Sequence, residues 1–406
     1  MTKETERANE AKERVLVGLN PRQREAVTHL EGPLLILAGA GSGKTTVLTR
    51  RVAYIIASGW APSSVLAITF TNKAAKELKT RIGSLLGDRA DGVWALTFHS
   101  ACARILRTEF PGLGRSGRFS IADDSDQQKI MKKCLKELNL SEKQYPPRGI
   151  LHSISNAKNE LVGPAEYAAK AATFYETKVS QAYSLYRTKL MELDALDFDD
   201  LLMETVVMFQ EHPFVLKKYQ EKFEHILVDE YQDTNRVQYE LTRLLAKSHR
   251  RIAVVGDDDQ SIYTFRGADI RNILDFERDY PDCRVVKLEE NYRSTQVILD
   301  GAFNVVRNNI ERKDKRLWTS RKGGVPITVY AGQSGEDEAR FVAREIERLA
   351  AEEKIPLSSC AILYRTHAQS RLFEESFMNI GVPYTVLAGF RFYERKHIRD
   401  AISYLR

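Results

Sequence analysis

The chain has 406 residues, 43% of them apolar and 29% charged, with a net charge of +6. That length calls for more than one domain, and that composition belongs to a soluble globular protein. There is no apolar run of membrane-spanning length, no signal peptide in the charged stretch Met1 to Glu13, and no C-x-x-C pair among Cys102, Cys134, Cys283 and Cys360. Membrane insertion, secretion and a zinc or iron–sulfur site are therefore not expected, and the cysteines read as small apolar residues of a reducing cytoplasm. The mild positive excess permits nucleic-acid binding without arguing for it.

In chain order, apolar β-rich runs recur at Pro33–Ala38, Val65–Phe70, Val93–Phe98, Ile226–Val228, Ile252–Val255 and Val285–Leu288, with helical patterns between most of them. This predicts an α/β fold, a parallel sheet wrapped by helices, with nucleotide at the carboxyl ends of the strands. The interval from Phe98 to Ile226 is too long for one crossover. Within it, Asp124 to Leu138 carries an apolar stripe at helical spacing, and Tyr167 to Leu193 also reads as helical. A helical subdomain over 115–195 is therefore expected to interrupt a first domain made of 1–114 and 196–288, with Gly112–Gly117 at the boundary. A second α/β pattern covers 289–406. Its expected strands are Ile327–Tyr330, Cys360–Tyr364 and Tyr384–Leu387, and its expected helices Glu336–Glu352, Gln369–Ile380 and Lys396–Leu405.

The chemistry begins right after the first apolar run, at Ala38-Gly-Ala-Gly-Ser-Gly-Lys-Thr-Thr46. Glycines let backbone N–H groups crowd around phosphates, Lys44 supplies a positive charge to the outer phosphates, and the Thr45 hydroxyl can ligate Mg²⁺. Ala40, Gly41, Ser42, Gly43 and Thr46 complete the cradle. A second apolar strand ends in Asp229-Glu230. Asp229 suits a Mg²⁺ ligand and Glu230 a general base that polarises water. A third strand leads to Gly256-Asp-Asp-Asp-Gln260, where Gln260 could sense a γ-phosphate. Tyr263, Phe265 and Arg266 then alternate aromatic and cationic groups, the chemistry of base stacking and phosphate contact.

Together these residues resemble the UvrD/PcrA/Rep helicases of superfamily 1. The resemblance runs through Leu19-Asn-Pro-Arg-Gln23, Ile68-Thr-Phe-Thr-Asn-Lys-Ala-Ala75, Thr97-Phe-His-Ser100, Leu196-Asp-Phe-Asp-Asp200, Val228-Asp-Glu-Tyr-Gln-Asp-Thr-Asn235, Gly256 to Tyr263, Glu290-Asn-Tyr-Arg-Ser-Thr295 and Leu363-Tyr-Arg-Thr366, in family order. It implies two RecA-like domains that use ATP and Mg²⁺ to move 3′→5′ along single-stranded DNA and open single/double-strand junctions, alongside repair or replication proteins. It assigns Gln23 to the adenine edge, Tyr292 to stacking on the adenine ring, Arg293 to the γ-phosphate as an arginine finger, and Gln260 to coupling between γ-phosphate and DNA. Phe70, Thr71, Asn72, His99, Tyr263, Phe265, Arg266 and, from the second domain, Arg365 would line the single strand.

Four positions depart from the family pattern. Thr46 stands where relatives usually carry Arg, Phe265 where they often have Trp, His367 where Asn is frequent, and Lys396-His397 in place of a basic–Glu pair. The family's later segments, with a further arginine finger, are not found before Arg406. The second domain is therefore expected to be incomplete. A fragment of that kind could instead be a nucleotide-gated single-strand-binding module or regulator without turnover. An unrelated P-loop ATPase is the remaining alternative, and the aromatic and polar track motifs argue against it.

Overall fold

The computed structural model describes residues 3–264, 267–310 and 312–387. Its chain forms two compact units, 1–325 and 326–406.

The first unit is built on a parallel six-stranded sheet. Its strands are β1 (Leu34–Ala38), β2 (Val65–Thr69), β3 (Trp94–Thr97), β6 (His225–Val228), β7 (Ile252–Gly256) and β8 (Arg284–Leu288), in the order β3-β2-β6-β7-β1-β8. All six apolar runs become strands, each within a residue or so of its expected bounds. The sheet is buried on both faces, which is why the strands read as nearly unbroken apolar runs. Alternation within each run separates the two cores. Leu35, Leu37, Leu66, Ile68, Ile226, Val228, Ile252 and Val254 face α5 (Phe98–Glu109), α10 (Phe198–Glu211), α11 (Pro213–Lys222) and α12 (Arg236–Ala246). Leu34, Ile36, Val65, Ala67, Leu227, Ala253 and Val255 face α1 (Lys3–Leu16), α2 (Pro21–Thr28), α3 (Lys44–Ala57) and α4 (Asn72–Leu86).

The long interval between β3 and β6 holds its own buried cluster. It is formed by α6 (Asp124–Glu137), α7 (Pro147–Asn159), α9 (Phe174–Glu192) and the edge residues Ala122 and Ala195, with the short α8 (Pro164–Lys170) preceding α9. The expected helical stretch Tyr167–Leu193 is two helices rather than one. Thr173 and Glu176 form a capping box that starts α9 afresh, as reciprocal satisfaction of orphan N–H groups requires. Two short strands, β4 (Ser120–Ala122) and β5 (Ala195–Asp197), pair in parallel where the chain enters and leaves these helices. After β7 come the single turns α13 (Arg271–Leu274) and α14 (Phe276–Asp279), and after β8 comes α15 (Gln296–Val306).

The second unit contains α16 (Gly335–Glu352) and α17 (His367–Ile380), near their expected places. Ser334 caps α16, with Glu336, Asp337 and Glu338 in its first turn, where the helix dipole favours negative charge. Tyr330 stacks on Phe341 with ring centroids 3.9 Å apart. The three strands expected here do not form: 327–330, 360–364 and 384–387 have no laddered partner among the described residues. Val329, Leu363 and Leu387 are 90%, 92% and 81% exposed, while Ile362, Tyr384 and Val386 are half-buried and line one hollow with Phe373 and Phe377 of α17. The expected helix Lys396–Leu405 lies outside the described residues. No helix among the described residues is long and apolar enough to cross a membrane.

Candidate functional site

Three loops leave neighbouring strands at the carboxyl edge of the sheet: 39–43 after β1, 229–235 after β6 and 257–264 after β7. This is where open α/β sheets bind ligands.

The first loop can be built only with glycine. Gly41 and Gly43 have φ of 70° and 92°, the left-handed region that side chains avoid. A Cβ on Gly43 would lie 2.8 Å from Gln23 Nε2, and one on Gly41 would lie 2.7 Å from Arg293 Cβ. The expected nucleotide residues therefore meet around the loop. Gln23 Nε2 donates to the Ser42 carbonyl at 3.0 Å. Its Oε1 accepts from Asn20 N, completing the capping box that starts α2. Tyr292 N donates to the Gly41 carbonyl at 2.9 Å. Tyr292 itself is exposed, its hydroxyl donating to Glu290 at 2.7 Å and accepting from Asn20 at 2.8 Å. Arg293 is exposed, and no carboxylate among the described residues pairs with its guanidinium. Thr46 sits one turn into the site, its Cβ 3.9 Å from where a Cβ on Gly43 would stand.

Asn291 escaped the sequence reading. It is buried, donates Nδ2 to the Ala40 carbonyl at 2.5 Å, and accepts from Arg293 N at 2.8 Å and Ser294 N at 2.7 Å. This one amide holds the segment bearing Tyr292 and Arg293 against the phosphate loop. The motif Glu290–Thr295 contained it, but nothing local distinguishes a structural amide from a solvated one.

Acidic and amide groups form the second part. Lys44 Nζ lies 3.0 Å from Glu230 Oε2. Glu230 sits at φ 48°, a strained setting for a side chain with a Cβ. Burial pushes the Asp229 carboxyl up to about 7, with the Glu230 charge adding to the effect and Lys44 opposing it. Thr45, Asp229 and Glu230 line one cleft. A buried carboxylate in no ion pair among the described residues, lining the same cleft as a hydroxyl, is a donor set that fits a hard divalent cation. From Glu230 the bonds continue in a chain. Gln232 Nε2 donates to Glu230 Oε2 at 2.9 Å, Gln232 Oε1 accepts from Asp257 N at 3.0 Å, and Gln260 Nε2 donates to Asp257 Oδ2 at 2.6 Å. Gly256 admits this contact, since a Cβ there would lie 2.6 Å from Gln232 Oε1.

The cleft, about 730 Å³, extends past Thr69, Phe70, Thr71 and His99 to Ile262 and Tyr263. Of the expected nucleic-acid residues, Phe70, Thr71, His99 and Tyr263 thus line the same cleft as Asp229, Glu230 and Gln260. Phe70 rests edge-on against Phe98, and Thr71 caps α4. His99 meets Phe198 edge-on at 5.8 Å, and burial holds its imidazole below the ordinary range. Asn72, exposed at the start of α4, is not among the residues lining the cleft. Arg365 stands in the second unit, just before α17. Phe265 and Arg266 lie outside the described residues. The sequence reading missed part of the lining: His152, Ser155, Asn156 and Asn159 of α7 line the same cleft, together with Asp199. Their i, i+3, i+4, i+7 spacing was the signal in the sequence.

Among the described residues, Asp257, Asp258 and Asp259 are the one cluster of three His, Cys, Asp or Glu side chains whose ligand atoms lie within 4.8 Å of one another. All three meet Lys315 Nζ, at 2.9 Å for Asp257 and 2.8 Å for Asp259.

Comparison with known proteins shows the family. Residues 19–281 match the UvrD/REP helicase N-terminal domain, and residues 286–406 match the UvrD-like helicase C-terminal domain. The chain is 52% identical over 393 residues to the ATP-dependent DNA helicase PcrA of Bacillus subtilis, covering 97% of this chain and 53% of that protein. It is 50% identical over 389 residues to PcrA of Staphylococcus aureus and 49% identical over 389 residues to that of Staphylococcus epidermidis, again covering 96% of this chain and 53% of each relative. The chain spans about half the length of these curated relatives. With both domain models matched in order over nearly all of its residues, the chain belongs to the UvrD/REP helicase family.

Proposed function

We propose that this chain is the ATP-driven part of a DNA helicase that translocates 3′→5′ on single-stranded DNA and opens single/double-strand junctions in repair or replication. One observation carries the reading. The phosphate loop, the carboxylate pair Asp229–Glu230 and the Gln260 turn lie at one sheet edge, and the cleft that holds the carboxylates also runs along Phe70, Thr71, His99 and Tyr263. The residues proposed for nucleotide chemistry and those proposed for the single strand thus line one cleft, which supports coupling between them.

In this reading Gln23 and Tyr292 take the adenine, and backbone N–H groups of 41–45 with Lys44 take the phosphates. Thr45 and Asp229 would hold Mg²⁺, which supplies charge neutralisation for the transferred phosphoryl group. Glu230 orients and deprotonates the attacking water, Gln260 contacts the γ-phosphate, and Arg293 stabilises charge in the transition state. Phe70, Thr71, Asn72, His99, Tyr263, Phe265, Arg266 and Arg365 carry the single strand by stacking and phosphate contact. The segments 1–114 and 196–288 act as the first motor domain, 115–195 as an inserted helical subdomain, and 289–406 as part of the second motor domain. The separate buried cluster between Ala122 and Ala195 supports the insertion.

The test is steady-state ATP hydrolysis by this chain with and without single-stranded DNA, with Lys44→Ala as blank. DNA-stimulated turnover above the blank is expected. Turnover equal to the blank, with nucleotide and single-strand binding retained, would replace the motor reading by that of a nucleotide-gated binding module.

A further inference from the structure

The residues just before the second unit do something that no motif announces. Lys315 is 4% exposed, and its ammonium reaches all three carboxylates of Asp257, Asp258 and Asp259. Arg312 adds two bonds to Asp259, Nε at 3.1 Å and Nη2 at 2.9 Å, and Lys313 N donates to Asp258 Oδ2 at 2.7 Å. Three like charges on consecutive residues would repel and open the turn. Two cations and a backbone amide from 312–315 close it instead. The same turn ends in Gln260, whose amide is fixed by Asp257 Oδ2. Asp257 therefore stands between Lys315 on one oxygen and Gln260 on the other.

The far end of the segment grips the phosphate loop. A Cβ on Gly39 would lie 2.5 Å from Leu317 Cδ2. Trp318 N donates to the Glu289 carbonyl at 3.0 Å, and Asn291 N donates to the Trp318 carbonyl at 2.7 Å. Asn291 is the amide that carries Tyr292 and Arg293 to the loop. Residues 312–318 thus form a strap with the Gln260 turn at one end and the Arg293 segment at the other.

We propose that Lys315 is a positioning residue for phosphate chemistry, holding the 257–259 turn so that Gln260 is presented to the γ-phosphate in register with the Arg293 segment. The proposal rests on the ATPase reading above. Lys315 touches no residue assigned to the base or to the α- and β-phosphates, so its loss should spare nucleotide affinity and reduce turnover.

The test compares the parent with Lys315→Met, which keeps the stem and removes the charge. It also uses Lys315→Met/Asp258→Asn, which returns the net charge of the cluster to the parent's value, two carboxylates against Arg312 where the parent has three against Lys315 and Arg312. Two readouts are taken: amide hydrogen exchange, and kcat and KM for DNA-stimulated ATP hydrolysis. Exchange in 257–262 should rise about tenfold or more in both variants, with β1, β2 and β6 unchanged. At the same time kcat should fall about 10- to 100-fold, with KM for ATP within about threefold. Unchanged exchange in 257–262 with unchanged kcat would overturn the proposal. So would a loss of protection spread evenly over the sheet in the compensated variant, which would make Lys315 a general stabiliser. Absence of turnover in the parent would refute the ATPase reading, and the exchange comparison would still decide whether Lys315 holds the turn.

Discussion

The sharpest stability test concerns Lys158 on α7. Its ammonium, 3% exposed, lies 2.6 Å from Asp197 Oδ2 and 2.7 Å from Asp200 Oδ1. The Tyr186 hydroxyl donates to the same Asp197 oxygen at 3.0 Å. The other carboxylate oxygens form the reciprocal cap of α10, Asp197 Oδ1 accepting from Asp200 N at 2.8 Å and Asp200 Oδ2 from Asp197 N at 3.1 Å. One ammonium thus compensates two buried carboxylates. Burial would raise Asp197, but Lys158 outweighs it and holds that carboxyl below the ordinary range. At Asp200 burial prevails and pushes the carboxyl up to about 7. Lys158→Met leaves both carboxylates uncompensated, which costs about 3–5 kcal/mol. Because a chain of two units need not unfold in one step, the assay is native-state amide exchange of the slowest amides in α7 and α9. The cost corresponds to exchange about 10²- to 10⁴-fold faster at pH 8. A carboxyl whose folded pKa lies above its unfolded value destabilises as pH rises through that interval. The deficit of the variant should therefore shrink between pH 8 and pH 6. Acceleration below about tenfold at pH 8, or a deficit that grows on acidification, would refute the argument.

Three further outcomes are expected. Gly43→Ala places a Cβ at φ 92° and 2.8 Å from Gln23 Nε2; fluorescent-nucleotide titration should show affinity about tenfold weaker or worse, and unchanged affinity would remove the loop from the site. Tyr292→Ala should raise KM for ATP about 5- to 100-fold by loss of stacking, whereas Tyr292→Phe, which loses only bonds to Asn20 and Glu290, should stay within about threefold; equal effects of the two variants would mean the ring does not stack. Burial, and next the Asp197 charge, push Asp199 up to about 6. Its folded form holds a proton more tightly than the unfolded chain, so ionisation costs stability as pH rises from about 4 to 6. Asp199→Asn should stabilise by about 1–2 kcal/mol at pH 8 after allowance for partial exposure, with the gain vanishing near pH 4; a pH-independent difference measured by the same exchange assay would assign the effect to hydrogen bonding instead.

The first unit was legible in the sequence because its signals are local. A strand buried on both faces is an apolar run, and β1, β6 and β7 are followed at once by Gly39–Gly43, Asp229–Glu230 and Asp257–Gln260, so motif and position arrive together. What stayed hidden depends on distant pairing. Lys315 reads as one of several charged residues in 311–316, and only the fold brings it to Asp257–Asp259. Asn291 and the polar face of α7 are of the same kind, since an amide's role depends on which carbonyl it meets. In the second unit the apolar alternation at 327–330 and 360–364 suggested strands, but an apolar pattern alone supplies no neighbouring strand. Strand geometry requires that neighbour to be present, and no ladder forms among the described residues.

Glu230 offers a way to separate binding from chemistry. Its Oε2 accepts from Lys44 Nζ at 3.0 Å and from Gln232 Nε2 at 2.9 Å, so the proposed base is engaged by the residue proposed to hold phosphate. A triphosphate at the loop competes with Glu230 for Lys44, and its multiple charges should win that competition. On the proposed roles Lys44 would then leave Glu230, whose carboxylate, still held by Gln232, would be released from its cation for proton transfer from water only when substrate is in place. Glu230 is about a third exposed, so the ion pair itself is worth no more than about 1 kcal/mol. Glu230→Gln removes this competition and the base together. Nucleotide affinity should therefore rise by up to about fivefold, while kcat falls about 10²- to 10⁴-fold. Titration with a fluorescent nucleotide and single-turnover hydrolysis measure the two effects independently. Affinity that falls in step with kcat would show that Glu230 helps to bind nucleotide rather than competing with it, and the ordering of events argued from the Lys44 contact would be wrong.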